Sequence, residues 1–307
     1  MCGIGGIILL ARKRTEQELR KIRALATKLL VELEKRGSDS AGMAVINKDY
    51  IWTLKQPARA TEFVKTQMFH TMLNRASEHT KGILLHTRAA TQGSRENNNN
   101  NHPIIAGDII GIHNGILYND DEIFENFQEH FARKGEVDSE AIFRLIDYYM
   151  KHGASGIKNI RKALKKLQGS MAIAFVDRFD TGSFYLYTNS KTTPISVAYL
   201  HDLGAFVFAS RKEYLKNSIP RYSRGKRNCR YYLLRENDLL KLTVEKAELE
   251  MHKARTKPFD YRSYGWGFGY LSDYRFTLAN EGSNPEKMAR AVSDGKERQA
   301  HLLGTFC

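Results

Sequence analysis

Helix-forming and strand-forming patterns do not alternate along this chain. They arrive in groups, an order that excludes the regular βαβα winding of a parallel doubly wound sheet and points to an α+β fold. An apolar opening at Ile4 to Leu10 precedes Thr15-Glu16-Gln17-Glu18, a capping box in which hydroxyl and carboxylate each satisfy a free backbone N–H. Leu19, Ile22, Ala26, Leu29, Leu30 and Leu33 then recur at helical spacing, and Gly37 offers a left-handed stop. Residues 43–54 read as two short strands about the turn Asn47-Lys48-Asp49, residues 61–73 as helix and 82–87 as strand. A strand is expected over 108–113, followed by helices near 120–134, 139–151 and 157–167. Short strands over 170–177, 183–188, 195–199 and 205–209 follow, and closing strands over 231–234, 239–243 and 247–252.

Two segments interrupt this pattern. Five consecutive asparagines at 97–101 disfavour both regular structures, because their amides compete for backbone hydrogen bonds, so residues 94–103 read as a loop. Between Arg211 and Arg230 eight basic residues meet one acidic residue, with Pro220, Ser223 and Gly225 as breakers, which reads as a basic loop or linker. From Lys253 onward the pattern weakens into an aromatic, Gly-rich stretch over 261–274 and a polar, helical piece over 285–303, an appendage to the main fold.

The 48 Lys and Arg against 34 Asp and Glu leave a formal charge of +14, which favours anionic partners, nucleic acid among them. Cys2, Cys229 and Cys307 lie far apart without CxxC or Cys/His spacing, so neither a disulfide framework nor a zinc site is suggested and a cytoplasmic, reducing setting is expected. The longest apolar stretch, residues 3–11, is about half of the roughly 20 residues that cross a bilayer. Arg12, Lys13 and Arg14 follow it instead of preceding it, so no membrane span and no secretory signal is expected.

Cys2 stands behind the initiator and before Gly3-Ile4-Gly5-Gly6. Removing Met1 would place a thiol and a free amine on one residue. An α-amine titrates at about 7.7 to 8.0, far below a lysine, so it can act as general base for its own side chain. A small buried cysteine is the plain alternative. His86, His102 and His113 invite a metal or catalytic-base reading, but their spacing has no HExxH-like helical logic. They are expected to be polar core residues satisfied by neighbouring backbone.

Six segments occur in order: Met1-Cys2-Gly3-Ile4, Arg36-Gly37-Ser38-Asp39-Ser40-Ala41-Gly42, His86-Thr87-Arg88-Ala89-Ala90-Thr91-Gln92-Gly93, Asn101-His102-Pro103, His113-Asn114-Gly115 and Asp138-Ser139-Glu140. Together they resemble class II glutamine amidotransferases, whose glutaminase domain is an N-terminal nucleophile hydrolase. They are similar in particular to the glutaminase domain of glucosamine-fructose-6-phosphate aminotransferase, with its RGxDSAG and HTRxAT strings. The resemblance covers residues 2–245 and implies a four-layer αββα sandwich, with L-glutamine as substrate and neither a metal nor another cofactor.

It also implies roles that suit the chemistry of cleaving a side-chain amide. Cys2 would be the nucleophile and its α-amine the base. Asn114 through its side-chain NH2 and Gly115 through its backbone N–H would hold the developing oxyanion. Arg88 would grip the substrate α-carboxylate and Asp138 its α-ammonium, with Thr91 and Gln92 lining the same pocket and Arg36 packed at the catalytic end. Read without the resemblance, Asn114-Gly115 is a turn, Asp138 a helix cap and Arg88 a surface cation.

The glutaminase domain is expected over 2–252, with 253–307 a C-terminal extension. The residues after 245, about 60, are too few for a sugar isomerase, a phosphoribosyltransferase or an ATP-binding synthetase domain. The ammonia acceptor is therefore expected on a separate synthase or amidating subunit, reached through the basic segment or the tail. Ala89 stands where the aminotransferases carry a Trp associated with gating ammonia, and Gln92 where they carry His, which puts the same channel in doubt. Two rival readings share the sequence: a hydrolase of another amide, against which Arg88 and Asp138 speak, and a non-catalytic derivative that binds nucleic acid.

Overall fold

In the computed structural model, which describes residues 1–153, 156–224 and 229–257, the apolar opening forms strand β1 (Gly3–Leu9) and Thr15 starts helix α1 (Glu16–Leu33). The capping box is present: the Thr15 hydroxyl accepts from the Glu18 N–H at 3.2 Å, and the Glu18 carboxylate accepts from the Thr15 N–H at 2.8 Å. All six apolar positions expected on one face are buried. The helix ends in a 3-10 turn over Glu34–Arg36, and Gly37 is extended at φ −174°, not left-handed. Its small size serves another end, because a Cβ there would fall on the Arg88–Ala89 peptide.

Strands β2 (Ser40–Asn47) and β3 (Ile51–Gln56) form the expected pair. Residues 61–73 divide into α2 (Ala60–Phe63) and α3 (Gln67–Leu73), because the Thr66 hydroxyl accepts from the Phe69 N–H at 3.2 Å and opens a second helix. After β4 (Thr80–Arg88), β5 (Ile104–Ala106) and β6 (Ile109–Leu117) come α4 (Asp120–Asn126), α5 (Asp138–Lys151) and α6 (Gly156–Leu164). Helix α4 stops eight residues short of the expected end at 134. Strands β7 (Gly169–Asp177), β8 (Asp180–Thr188), β9 (Ser196–Leu200) and β10 (Ala205–Ala209) follow.

The basic segment is not a loop throughout. Lys212–Ser218 forms α7, whose Tyr214 and Leu215 are buried in the cluster that α1 builds, and the segment continues in a 3-10 turn over Arg221–Arg224. Charge density hid this helix: Leu215, Ser218 and Ile219 recur at i, i+3 and i+4 among the five cations of 211–224 and are all buried. The chain then runs through β11 (Cys229–Leu233), β12 (Asp238–Thr243) and β13 (Glu248–Lys253). The aromatic stretch 261–274 and the helical piece 285–303 lie outside the described residues.

Two antiparallel sheets result, one in the order β11-β9-β10-β1-β4-β2-β3 and the other β13-β12-β8-β7-β6-β5. Successive side chains of a strand point to opposite faces. Ile4 and Ile8 of β1 thus join Ile112, Ala174 and Leu186 between the sheets, whereas Ile7 and Leu9 pack under α1 and α7. On the far side Ile173, Phe175 and Tyr187 pack under α5 and α6. The architecture is the expected four-layer αββα sandwich, and it explains why the central strands read as unbroken apolar runs: both of their faces are covered. Among the described residues no helix is long and apolar enough to cross a membrane.

Candidate active site

The register of β1 and β4 pairs Gly3 with Thr87, which places Cys2, just ahead of β1, beside Arg88 at the end of β4. The Cys2 thiol donates toward the Ala89 carbonyl at 3.7 Å, and Arg36 Nε donates to the Cys2 carbonyl at 2.8 Å. Arg36 thus packs against the backbone of Cys2. Asp39, three residues on, ties the same two segments together: its N–H donates to the Arg88 carbonyl at 2.9 Å, and its carboxylate accepts from the Ala90 N–H at 2.7 Å. Together with Gly37 lying against the Arg88–Ala89 peptide, these contacts hold Cys2 from both sides. Met1 precedes it and is 61 % exposed.

Cys2, Arg88, Thr91, Gln92, Gly115 and Asp138 line one cleft of about 290 Å³. Five segments far apart in sequence therefore supply one pocket, four of them through residues expected there. Arg88 is nearly buried, and its guanidinium donates to Asn101 Oδ1 at 3.1 Å, to the Gly93 carbonyl at 2.9 Å and to the Gln92 carbonyl. None of these partners carries charge, so a cation stands in the wall of the cleft. Asp138 is the first residue of α5 and not its cap, which is Val137. One carboxylate oxygen accepts from the Leu117 N–H at 2.8 Å and the other from the Ser139 hydroxyl at 3.1 Å.

Asn114 and Gly115 lie within β6, paired with Ala172 and Met171 of β7, so they form no turn. Gly115 has φ +151°, and a Cβ there would meet the Ser170 carbonyl, which restricts the position to glycine. Asn114 is fully buried, yet neither its Oδ1 nor its Nδ2 makes a hydrogen bond within the described residues. A buried amide left in this state costs free energy unless a ligand completes it.

Burial pushes the Cys2 thiol up; the terminal ammonium and Arg88 pull it down, and Asp138 opposes them. The three histidines sit at the same end of the sandwich. Burial lowers His86 to about 3, and lowers His102 and His113 as well, so all three are neutral near pH 7. His86 Nε2 donates to the His113 carbonyl at 3.0 Å, as expected of a core histidine satisfied by backbone. The other two depart from that expectation. His113 Nδ1 meets the Ser139 hydroxyl at 2.8 Å, and His102 stacks on His86 with ring centroids 4.0 Å apart while both of its nitrogens lack a partner.

The asparagine run is part of the site, which its composition alone did not reveal. Residues 98–100 form a 3-10 turn, and Asn100 and Asn101 are fully buried. Asn101 Nδ2 donates to the Arg95 carbonyl at 2.6 Å and to Asn98 Oδ1 at 3.0 Å, which turns its Oδ1 toward Arg88. Asn100 and Glu136 exchange two hydrogen bonds of 2.7 Å, linking this loop to the segment that carries Asp138. His102, His113 and Ser139, also unassigned by spacing, line the cleft. Their signal was adjacency: each flanks a residue already singled out.

A sandwich of two antiparallel sheets between helices, with a cysteine opening a central strand beside a guanidinium and a carboxylate, is the fold expected of an N-terminal nucleophile hydrolase. Residues 86–217 match the model of a family described as a glutamine amidotransferase domain. It is 32 % identical over 199 residues to a glutamine–fructose-6-phosphate aminotransferase (isomerizing) of Staphylococcus epidermidis, and 31 % identical over 206 residues to that of Pyrobaculum aerophilum. Each alignment covers 64 % of this chain but only 30 % and 31 % of the respective relative, so the chain spans less than a third of their length. The fold matches the glutamine phosphoribosylpyrophosphate amidotransferase of Bacillus subtilis with a TM-score of 0.64 at 18 % identity, covering 82 % of this chain and 49 % of that one.

Proposed function

We propose that residues 2–252 form a glutaminase unit that hydrolyses the side-chain amide of L-glutamine, with 253–307 as an extension. The observation that carries this reading is the convergence of the Cys2 thiol, the Arg88 guanidinium and the Asp138 carboxylate on one cleft. A free amino acid presents one anion and one cation, and these two groups match them in sign.

With Met1 removed, the Cys2 α-amine takes the thiol proton and the sulfur attacks the amide carbon. Charge gathers on the former carbonyl oxygen, where the unpartnered Asn114 amide and the Gly115 N–H can receive it. The ammonium returns the proton to the departing nitrogen, ammonia leaves, and a γ-glutamyl thioester remains on Cys2. Water then gives a proton to the amine and attacks the thioester; the sulfur leaves, recovers the proton, and glutamate is released. Arg36 holds the Cys2 carbonyl throughout, and Thr91 and Gln92 close the substrate end of the cleft.

Ammonia produced here requires an acceptor, supplied by a synthase domain or subunit outside the described residues. Co-purification from the native source tests this point, and a strictly solitary, fully active monomer would defeat it. The reaction itself is tested by glutamate release from L-glutamine. Wild-type activity should vanish in Cys2→Ala, and Asp138→Ala should raise KM; undiminished turnover by either variant overturns the assigned roles.

A further inference from the structure

We infer that Ser139 and His113 are positioning residues that orient the Asp138 carboxylate toward the substrate ammonium. This rests on the glutaminase reading and extends it to side chains that do not touch the reacting atoms. The proton count fixes the arrangement. Ser139 has one hydroxyl proton, and the hydroxyl lies 3.1 Å from Asp138 Oδ1 and 2.8 Å from His113 Nδ1. The carboxylate can only accept, so the serine proton goes to Asp138 and the serine oxygen must accept from His113. His113 therefore carries its proton on Nδ1. Burial keeps the ring neutral, which leaves Nε2 bare, and Nε2 is indeed buried without a partner.

The chain of contacts is anchored at both ends. His113 is 2 % exposed, and its own carbonyl accepts from His86 Nε2 of the opposite sheet at 3.0 Å. Asp138 Oδ2 accepts from the Leu117 N–H at 2.8 Å. His113 Nδ1 stands 3.9 Å from Asp138 Oδ1, beyond hydrogen-bond reach, so its effect passes through the serine. Terminal torsions of carboxylates are broad and soft, so the backbone bond alone leaves the group free to swing about Oδ2. The serine bond removes that freedom and leaves the remaining lone pairs of both oxygens for an ammonium in the cleft.

The test compares L-glutamine with 5-amino-5-oxopentanoate, which has the same amide and carboxylate but no α-amine. In Ser139→Ala, KM for glutamine should rise about tenfold, the scale of one hydrogen bond to a charged group, with kcat unchanged. KM for the des-amino substrate should not move, and Ser139→Thr should restore the value for glutamine. Equal losses on both substrates, or an unchanged KM for glutamine, would overturn the inference. Should Ser139→Ala fail to fold, His113→Asn against His113→Phe decides: the asparagine amide can donate from near the Nδ1 position and should keep glutamine affinity, whereas phenylalanine should lose it. Equal behaviour of these two variants overturns the inference as well. A wild-type chain that releases no glutamate would instead remove the glutaminase reading itself.

Discussion

Asn114 shows how a single residue carries structural and chemical information at once. Its amide is fully buried and makes no hydrogen bond within the described residues, so shortening it to alanine breaks no hydrogen bond there. Asn114→Ala should therefore retain the wild-type unfolding midpoint while kcat for glutamate release falls by about 100- to 1,000-fold, the usual effect of losing one oxyanion donor. A variant with full kcat would show that the amide is idle. Cys2 and Arg88 were legible in the sequence because their segments are short, ordered and chemically specific. Ser139 and His113 were not, since a serine beside an acid and a histidine before an asparagine have many ordinary uses, and only the fold sets their ring and hydroxyl 2.8 Å apart.

At the scale of elements, α1 was written plainly: a capping box followed by apolar residues at helical spacing gave both its start and its buried face. Helix α7 was not, because cations at five positions between 211 and 224 masked the apolar positions that bury it. The asparagine loop was expected as irregular structure, but its part in the site depends on partners 13 and 36 residues away, which no local pattern encodes. Asn101→Ala removes the side-chain oxygen that faces Arg88 and the bonds that pin the loop to Arg95 and Asn98. KM for glutamine should rise about tenfold, with a smaller change in kcat, as measured by steady-state glutamate release. An unchanged KM would mean that Arg88 is held without the loop.

For the whole molecule, the α+β class followed from grouped strands and helices and the two-sheet sandwich from the family resemblance, whereas the pairing that brings β1, β4 and β6 to one end is a property of topology and had to be seen. That end also stores a pH dependence. An unfolded histidine titrates near about 6.5, but His86 is lowered to about 3 and His102 and His113 are lowered too, all by burial. Below about pH 6.5 the unfolded chain therefore binds protons that the folded chain refuses. Stability is complete above that pH and falls as acid is added, by up to about 1.4 kcal/mol per pH unit for each such ring. Urea midpoints at pH 7, 6 and 5 should decline, and His86→Gln, which can still donate to the His113 carbonyl but does not titrate, should decline less; a flat profile would contradict the buried neutral state. The account as a whole depends on a thiol and a free amine on the same residue. Its most direct test is the intact mass of an active preparation together with its N-terminal peptide: the active protein should begin at Cys2, and full glutaminase activity in protein that retains Met1 would contradict the mechanism.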